Sequence, residues 1–202
     1  MKILILVCVL TNAEVLDRVA VSIGNQVITE SQLIREIQLD SLLNNEPATF
    51  TPAAMRAAAD RLIEQKLVRK EMEMGRYPTA APEEASAMIQ NLVKNRPDFA
   101  RELAAAGIGL DELQQHLQWG LTLAHFIDLR FRPAVQVTNG DIEKYYREQF
   151  GSSQALADVR ARITETLQAQ RSDAALDAWL KDTKAHTVIE YRKEVFGEAS
   201  AK

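Results

Sequence analysis

The sequence predicts a mainly α protein carrying a small β-sheet built from an N-terminal hairpin and a C-terminal strand. Three observations lead there. Apolar residues recur at helical spacing through most of the chain, between capping residues and Pro or Gly breakers. Only two segments, one near each end, alternate as strands do. The chain has 202 residues, 47% of them hydrophobic, enough for the core of one compact domain or two small ones.

Val19, Val21 and Ile23 alternate with Arg18, Ala20 and Ser22, the pattern of a half-buried strand. Gly24-Asn25 tolerates positive φ and supplies a turn, and Val27-Ile28 returns. Thr29 with Gln32 has capping-box spacing. The helix it opens runs through Leu33, Ile34, Ile37 and Leu42 until Asn44-Asn45-Glu46-Pro47 breaks it. Thr51-Pro52 starts a second helix, with Leu62, Ile63, Leu67 and Met74 on its buried side and Gly75 as its terminal glycine. A third follows Pro82, with Met88, Ile89 and Leu92 apolar, and ends at Asn95-Arg96-Pro97. Asp98 caps a short fourth, stopped by Gly107 and Gly109.

The fifth helix, from Leu110 to about Arg130, has two apolar faces. Leu110, Leu113, Leu117, Leu121 and Ala124 follow steps of three and four on one. Trp119, Leu123 and Phe126 follow the same steps on nearly the opposite side. Such a helix is either buried all round, or packs one face and lines a groove with the other. After Pro133 and the extended Val135-Gln136-Val137, Thr138 caps a helix through Ile142, Tyr145 and Tyr146. A long helical stretch then carries Leu156, Val159, Ile163 and Leu167 on one face, with a bend expected near Ser172 before Leu176, Trp179 and Leu180. Residues 187–191 read as a strand, and having no other partner they should pair with the 18–28 hairpin. The closing FGEASAK reads as a flexible tail.

Before all this stands MKILILVCVLTNA, where one lysine, a short apolar run and a small residue give the layout of a secretory signal over 1–13. A wrongly placed start and a hydrophobic first strand are the alternatives. The run is far short of the roughly 18 apolar residues of a membrane span. Cys8, the one cysteine, lies inside it, so a chain cleaved after Ala13 has no thiol chemistry.

The net charge of −4 gives no electrostatic reason to expect nucleic acid. His116 and His125, nine residues apart on one helix, face opposite ways and cannot share a metal, while Glu112 and His116 read as an exposed helix pair. Gly151-Ser152-Ser153 lacks the form of a nucleophile elbow, and no phosphate-binding glycine loop is present. No catalytic residue, cofactor or metal is expected. What remains is apolar surface: Met55, Met72, Met74 and Met88, with Phe99, Trp119, Phe126 and Phe131, serve either as core or as an adaptable binding surface.

The order of elements resembles a known family. RVAVSIGNQVITESQLI resembles the opening of the SurA-type periplasmic chaperones and the related PpiD and PrsA foldases. RLIEQKLVRKEMEMG looks like their second helix, and residues 82–121 are similar to the next three. VQVTNGDIEKYYREQF looks like the segment that leads into their parvulin prolyl isomerase domain, and residues 155–191 resemble the helix and strand that follow it. Here only Gly151-Ser152-Ser153-Gln154 stand between Phe150 and Ala155, which leaves no room for that domain. The resemblance therefore implies the chaperone module alone, spanning 14–196, with an N-terminal part 14–132, a connector 133–151, a C-terminal part 152–192 and a tail 197–202.

It also implies an ATP-independent periplasmic holdase that binds unfolded exported or outer-membrane polypeptides in an apolar groove. Met88, Leu92, Trp119, Leu123 and Phe126 are the expected contact residues. The other readings are an assembly subunit with one fixed partner and a degenerate prolyl isomerase. An apolar groove would also permit homo-oligomers through the helical arms.

Overall fold

The computed structural model of the protein describes residues 17–151 and 154–197; the expected leader with Cys8, and all of the expected tail after Gly197, lie outside the described residues. The fold is mainly α-helical with a three-stranded sheet formed by an N-terminal hairpin and a C-terminal strand.

Strands β1 (Val19–Ile23) and β2 (Gln26–Thr29) form the hairpin. Of its two turn residues only Gly24 has positive φ, at 54°. That matches two-residue loops that need glycine at their first position. Plain alternation would bury Val19 and expose Ala20. Instead the register shifts at a bulge between Val19 and Val21, and Ala20 and Val21 are both fully buried.

Strand β3 (Ile189–Tyr191) pairs antiparallel with β1, Val21 opposite Tyr191 and Ile23 opposite Ile189. The strand order is β2-β1-β3, so the first strand among the described residues is the central one. Beyond the ladder, the Gly24 N–H donates to the Val188 carbonyl (3.0 Å) and the Arg192 N–H to that of Ala20 (2.9 Å). The N-terminal hairpin and the C-terminal strand thus close on each other, as expected.

Helix α1 (Glu30–Asn44) starts at the Thr29–Gln32 capping box, where the Thr29 N–H donates to Gln32 Oε1 at 3.0 Å. Helix α2 (Pro52–Gly75) starts at Thr51, whose hydroxyl accepts from the Ala54 N–H. Its end departs from expectation. Gly75 is the last helical residue, and Arg76 takes the left-handed conformation at φ 54°. Gly75 is required for space instead: a Cβ there would lie 2.4 Å from the ring of Tyr77.

Helices α3 (Pro82–Asn95), α4 (Phe99–Ala105) and α5 (Leu110–Arg130) follow. Asp98 does not cap α4; its backbone is helical and its carboxylate pairs with Arg101 at 3.0 Å. A 3-10 turn at Arg132–Ala134 leads to α6 (Asn139–Gln149) and α7 (Leu156–Ala185). Helix α7 is continuous through the buried Ser172.

Three apolar cores hold these elements. The main one joins the sheet to α1, α2 and the C-terminal ends of α5 and α7. Phe126 is at its centre, edge-on to Tyr77, Phe131 and Trp179 with ring centroids 5.0, 5.7 and 6.3 Å away. Phe196, expected at the start of the tail, is buried here against Tyr191. Met72 is buried in this core too, whereas Met74, expected on that side, is 67% exposed.

A second core gathers Leu39, Ala85, Phe99, Leu103, Ile108, Leu113 and Leu117. Arg96 joins its edges, donating to the Leu42 carbonyl (2.8 Å) and to Glu102 (2.6 Å). Leu110, expected on the same face of α5, is exposed at the helix start. A third, small core holds Ile142, Val159 and Ile163 between α6 and α7.

Candidate functional site: an apolar cleft beside Trp119

Helix α5 serves two cores with its two faces. Leu113 and Leu117 face the second core, while Trp119, Leu123 and Phe126 face the main one. The Trp119 stripe descends as it runs. Trp119 and Leu123 are half-buried, and Phe126 has no exposed surface at all. Phe126 is therefore a core residue that no client can touch, because three aromatic rings enclose it. Leu92 packs into the second core from α3, and Met88 is exposed on that helix. Neither lines the cleft described next. Of the five expected contact residues, the structure brings Trp119 and Leu123 together and places the other three elsewhere.

Trp119 and Leu123 form one wall of an open cleft of about 230 Å3. Val68 from α2 and Leu176 and Leu180 from α7 complete its apolar lining. Val68 and Leu180 are nearly fully buried and belong to the main core, so the cleft opens directly above that core. Glu36, Arg61, Glu64, Gln65 and His116 surround it. These charges are matched: Arg61 bonds Glu36 at 3.1 Å, Lys184 bonds Glu64 at 2.6 Å, and His116 lies 3.7 Å from Glu36. The expected Glu112–His116 pair is not formed, because Glu112 binds Arg35 at 2.8 Å.

On the other side of Trp119 the surface is mixed, with more polar groups than in the Leu123 cleft. The Arg69 guanidinium lies 4.1 Å from the centroid of the Trp119 ring. With the Gln65 amide oriented to suit its neighbours, its oxygen accepts from Arg69 (3.1 Å) and from Trp119 Nε1 (3.3 Å). Three further clefts, of about 240 to 280 Å3, meet at Arg69. Thr122 fixes the wall of two of them. Its hydroxyl accepts from the Ala80 N–H (3.0 Å) and donates to the Gln118 carbonyl (2.7 Å), and Gln118 Nε2 donates to the Ala80 carbonyl at 2.7 Å. Both backbone groups of Ala80 are thereby held on α5.

Of the other apolar cleft residues, the sequence places Leu176 and Leu180 only on a helix face and does not single out Val68. The four-residue step from Leu176 to Leu180 places both on one side of α7. Which side of that helix meets Trp119 is a matter of tertiary packing that periodicity does not encode.

Among the described residues, no three His, Cys, Asp or Glu side chains converge as a metal site. No helix among them is long and apolar enough to cross a membrane. No protein-family model matches the chain, and no curated protein matches it either.

Proposed function

We propose that this protein is an ATP-independent holdase for unfolded exported or outer-membrane polypeptides, working in the periplasm. The observation that carries this reading is the open apolar cleft where α2, α5 and α7 meet, with Trp119 and Leu123 left half-buried beside a complete core. The ordered resemblance to SurA-type chaperones supports it, as does the joining of the N-terminal hairpin and the C-terminal strand in one sheet.

The size of the cleft sets the mode of binding. Drug-sized ligands occupy pockets of about 300–1,000 Å3. At about 230 Å3 this cleft takes a side chain rather than a folded segment. Burying one leucine-sized side chain contributes about 1.5–3 kcal/mol. Even millimolar affinity needs about 4 kcal/mol, before the ordering of the client is counted. A single grip therefore holds nothing for long. Clients bind through several weak contacts, which suits capture and release without a nucleotide.

Light scattering by an unfolded outer-membrane protein diluted from denaturant tests the reading. Stoichiometric excess of this protein should delay aggregation without ATP, and an unchanged time course would refute it.

A further inference from the structure

We infer that the cationic cleft beside Gln65 holds the terminal carboxylate of a polypeptide whose last side chain, an apolar one, occupies the Trp119 cleft. This assignment rests on the client-binding reading above and specifies which part of a client is held there.

The first support is charge. Arg35, Lys66 and Arg69 line the cleft of about 260 Å3 between α1 and α2, against the single carboxylate Glu36. Arg35 is committed to Glu112 at 2.8 Å, and Glu36 to Arg61 at 3.1 Å. Among the described residues, neither Lys66 nor Arg69 has a carboxylate within ion-pair distance. They are one helical turn apart on α2 and so share a face. Lys66 is half-buried, and burial, with the nearby Arg69 charge, lowers its pKa. A carboxylate placed between them would relieve that cost.

The second support is adjacency. Gln65 and Glu36 line both the apolar and the cationic hollow, so one side chain's width separates them. The Gln65 oxygen is engaged by Arg69 and Trp119, so the partition side chain is tied to both hollows. A terminal residue presents its side chain and its carboxylate from the same Cα, which suits two hollows that adjoin. In an extended segment the next side chain points to the opposite face, and the one after it lies about 7 Å further on. An internal acidic residue therefore fits less well than a chain end.

The test uses short glycine-serine peptides ending in leucine, made as the free acid and as the terminal amide. Each is titrated to millimolar concentration against the whole protein and followed through the Trp119 indole N–H signal. The free acid should bind at least about tenfold more tightly, the scale of a charge-assisted hydrogen bond. Lys66→Gln, or Arg69→Gln as a second variant, should bring the acid toward the amide. Equal binding of acid and amide would overturn the carboxylate assignment while leaving the apolar cleft reading intact. So would an amidated peptide with glutamate two residues before its end that matched the free acid. If the free acid leaves Trp119 unperturbed, the carboxylate assignment falls, while the holdase reading, which needs several weak contacts at once, is decided by the aggregation assay.

Discussion

Thr122 uses its hydroxyl twice, as acceptor for the Ala80 N–H and as donor to the Gln118 carbonyl, while only 2% exposed. Thr122→Val keeps the shape and removes both bonds, leaving a buried N–H without a partner. A loss of about 1–3 kcal/mol is expected in denaturant unfolding, with Thr122→Ser recovering most of it. Tyr191 is a second residue with a readable consequence. Its hydroxyl donates to Asp60 at 2.7 Å, and burial, then that carboxylate, push its pKa up to about 12. In the unfolded chain a tyrosine ionises near pH 10. Between about pH 10 and 12 the unfolded state therefore binds fewer protons than the folded one, and stability falls as pH rises. The contribution is complete below pH 10 and gone above 12. Tyr191→Phe should melt with a shallower pH dependence across that window than the parent protein. At this scale the sequence was read correctly where chemistry is local, as at the Thr29 and Thr51 caps. It misled where a steric contact or a backbone irregularity decides. Gly75 is reserved for the ring of Tyr77, and the bulge at β1 turns Ala20 inward.

Helices α6 and α7 show how unevenly the fold is held. Between them only Ile142, Val159 and Ile163 are fully buried, whereas the main core draws on the sheet and four helices. Asp141 supplements that small contact, capping α6 through Thr138 and pairing with Arg171 on α7 at 2.8 Å. Arg171, with the Thr138 bonds, holds the Asp141 carboxyl below the usual carboxylate range. Its contribution is present above about pH 4 and is lost as pH falls further. Amide hydrogen exchange should show α6 opening before α1 and α2, and Asp141→Asn should speed exchange in α6 but not in α2. Uniform protection across the three helices would contradict this. Helix boundaries were legible because caps and breakers are local signals. The two faces of α5 were legible as well, but their destinations were not. One periodic stripe carries Trp119 to a cleft and Phe126 into a closed core, and the difference lies in the helices packed opposite.

The whole molecule is organised by its closure. Strand β1 pairs on one side with its own hairpin partner and on the other with β3, from the far end of the chain. Lys184 bonding Glu64 and Tyr191 bonding Asp60 fasten the C-terminal region to α2. The sequence foretold this pairing because an isolated hairpin is marginal and only one other strand was available. Closure also brings Leu176 and Leu180 of α7 against Val68 and Trp119, and thereby makes the cleft. The most direct measurement is the affinity of a labelled, permanently unfolded polypeptide for Leu123→Asp, Leu176→Asp and Met88→Asp, each checked for an intact fold by its melting curve. A carboxylate in the cleft should weaken binding about tenfold or more, while Met88→Asp on α3 should leave it unchanged. Undiminished binding by folded Leu123→Asp and Leu176→Asp proteins would show that clients are held somewhere else.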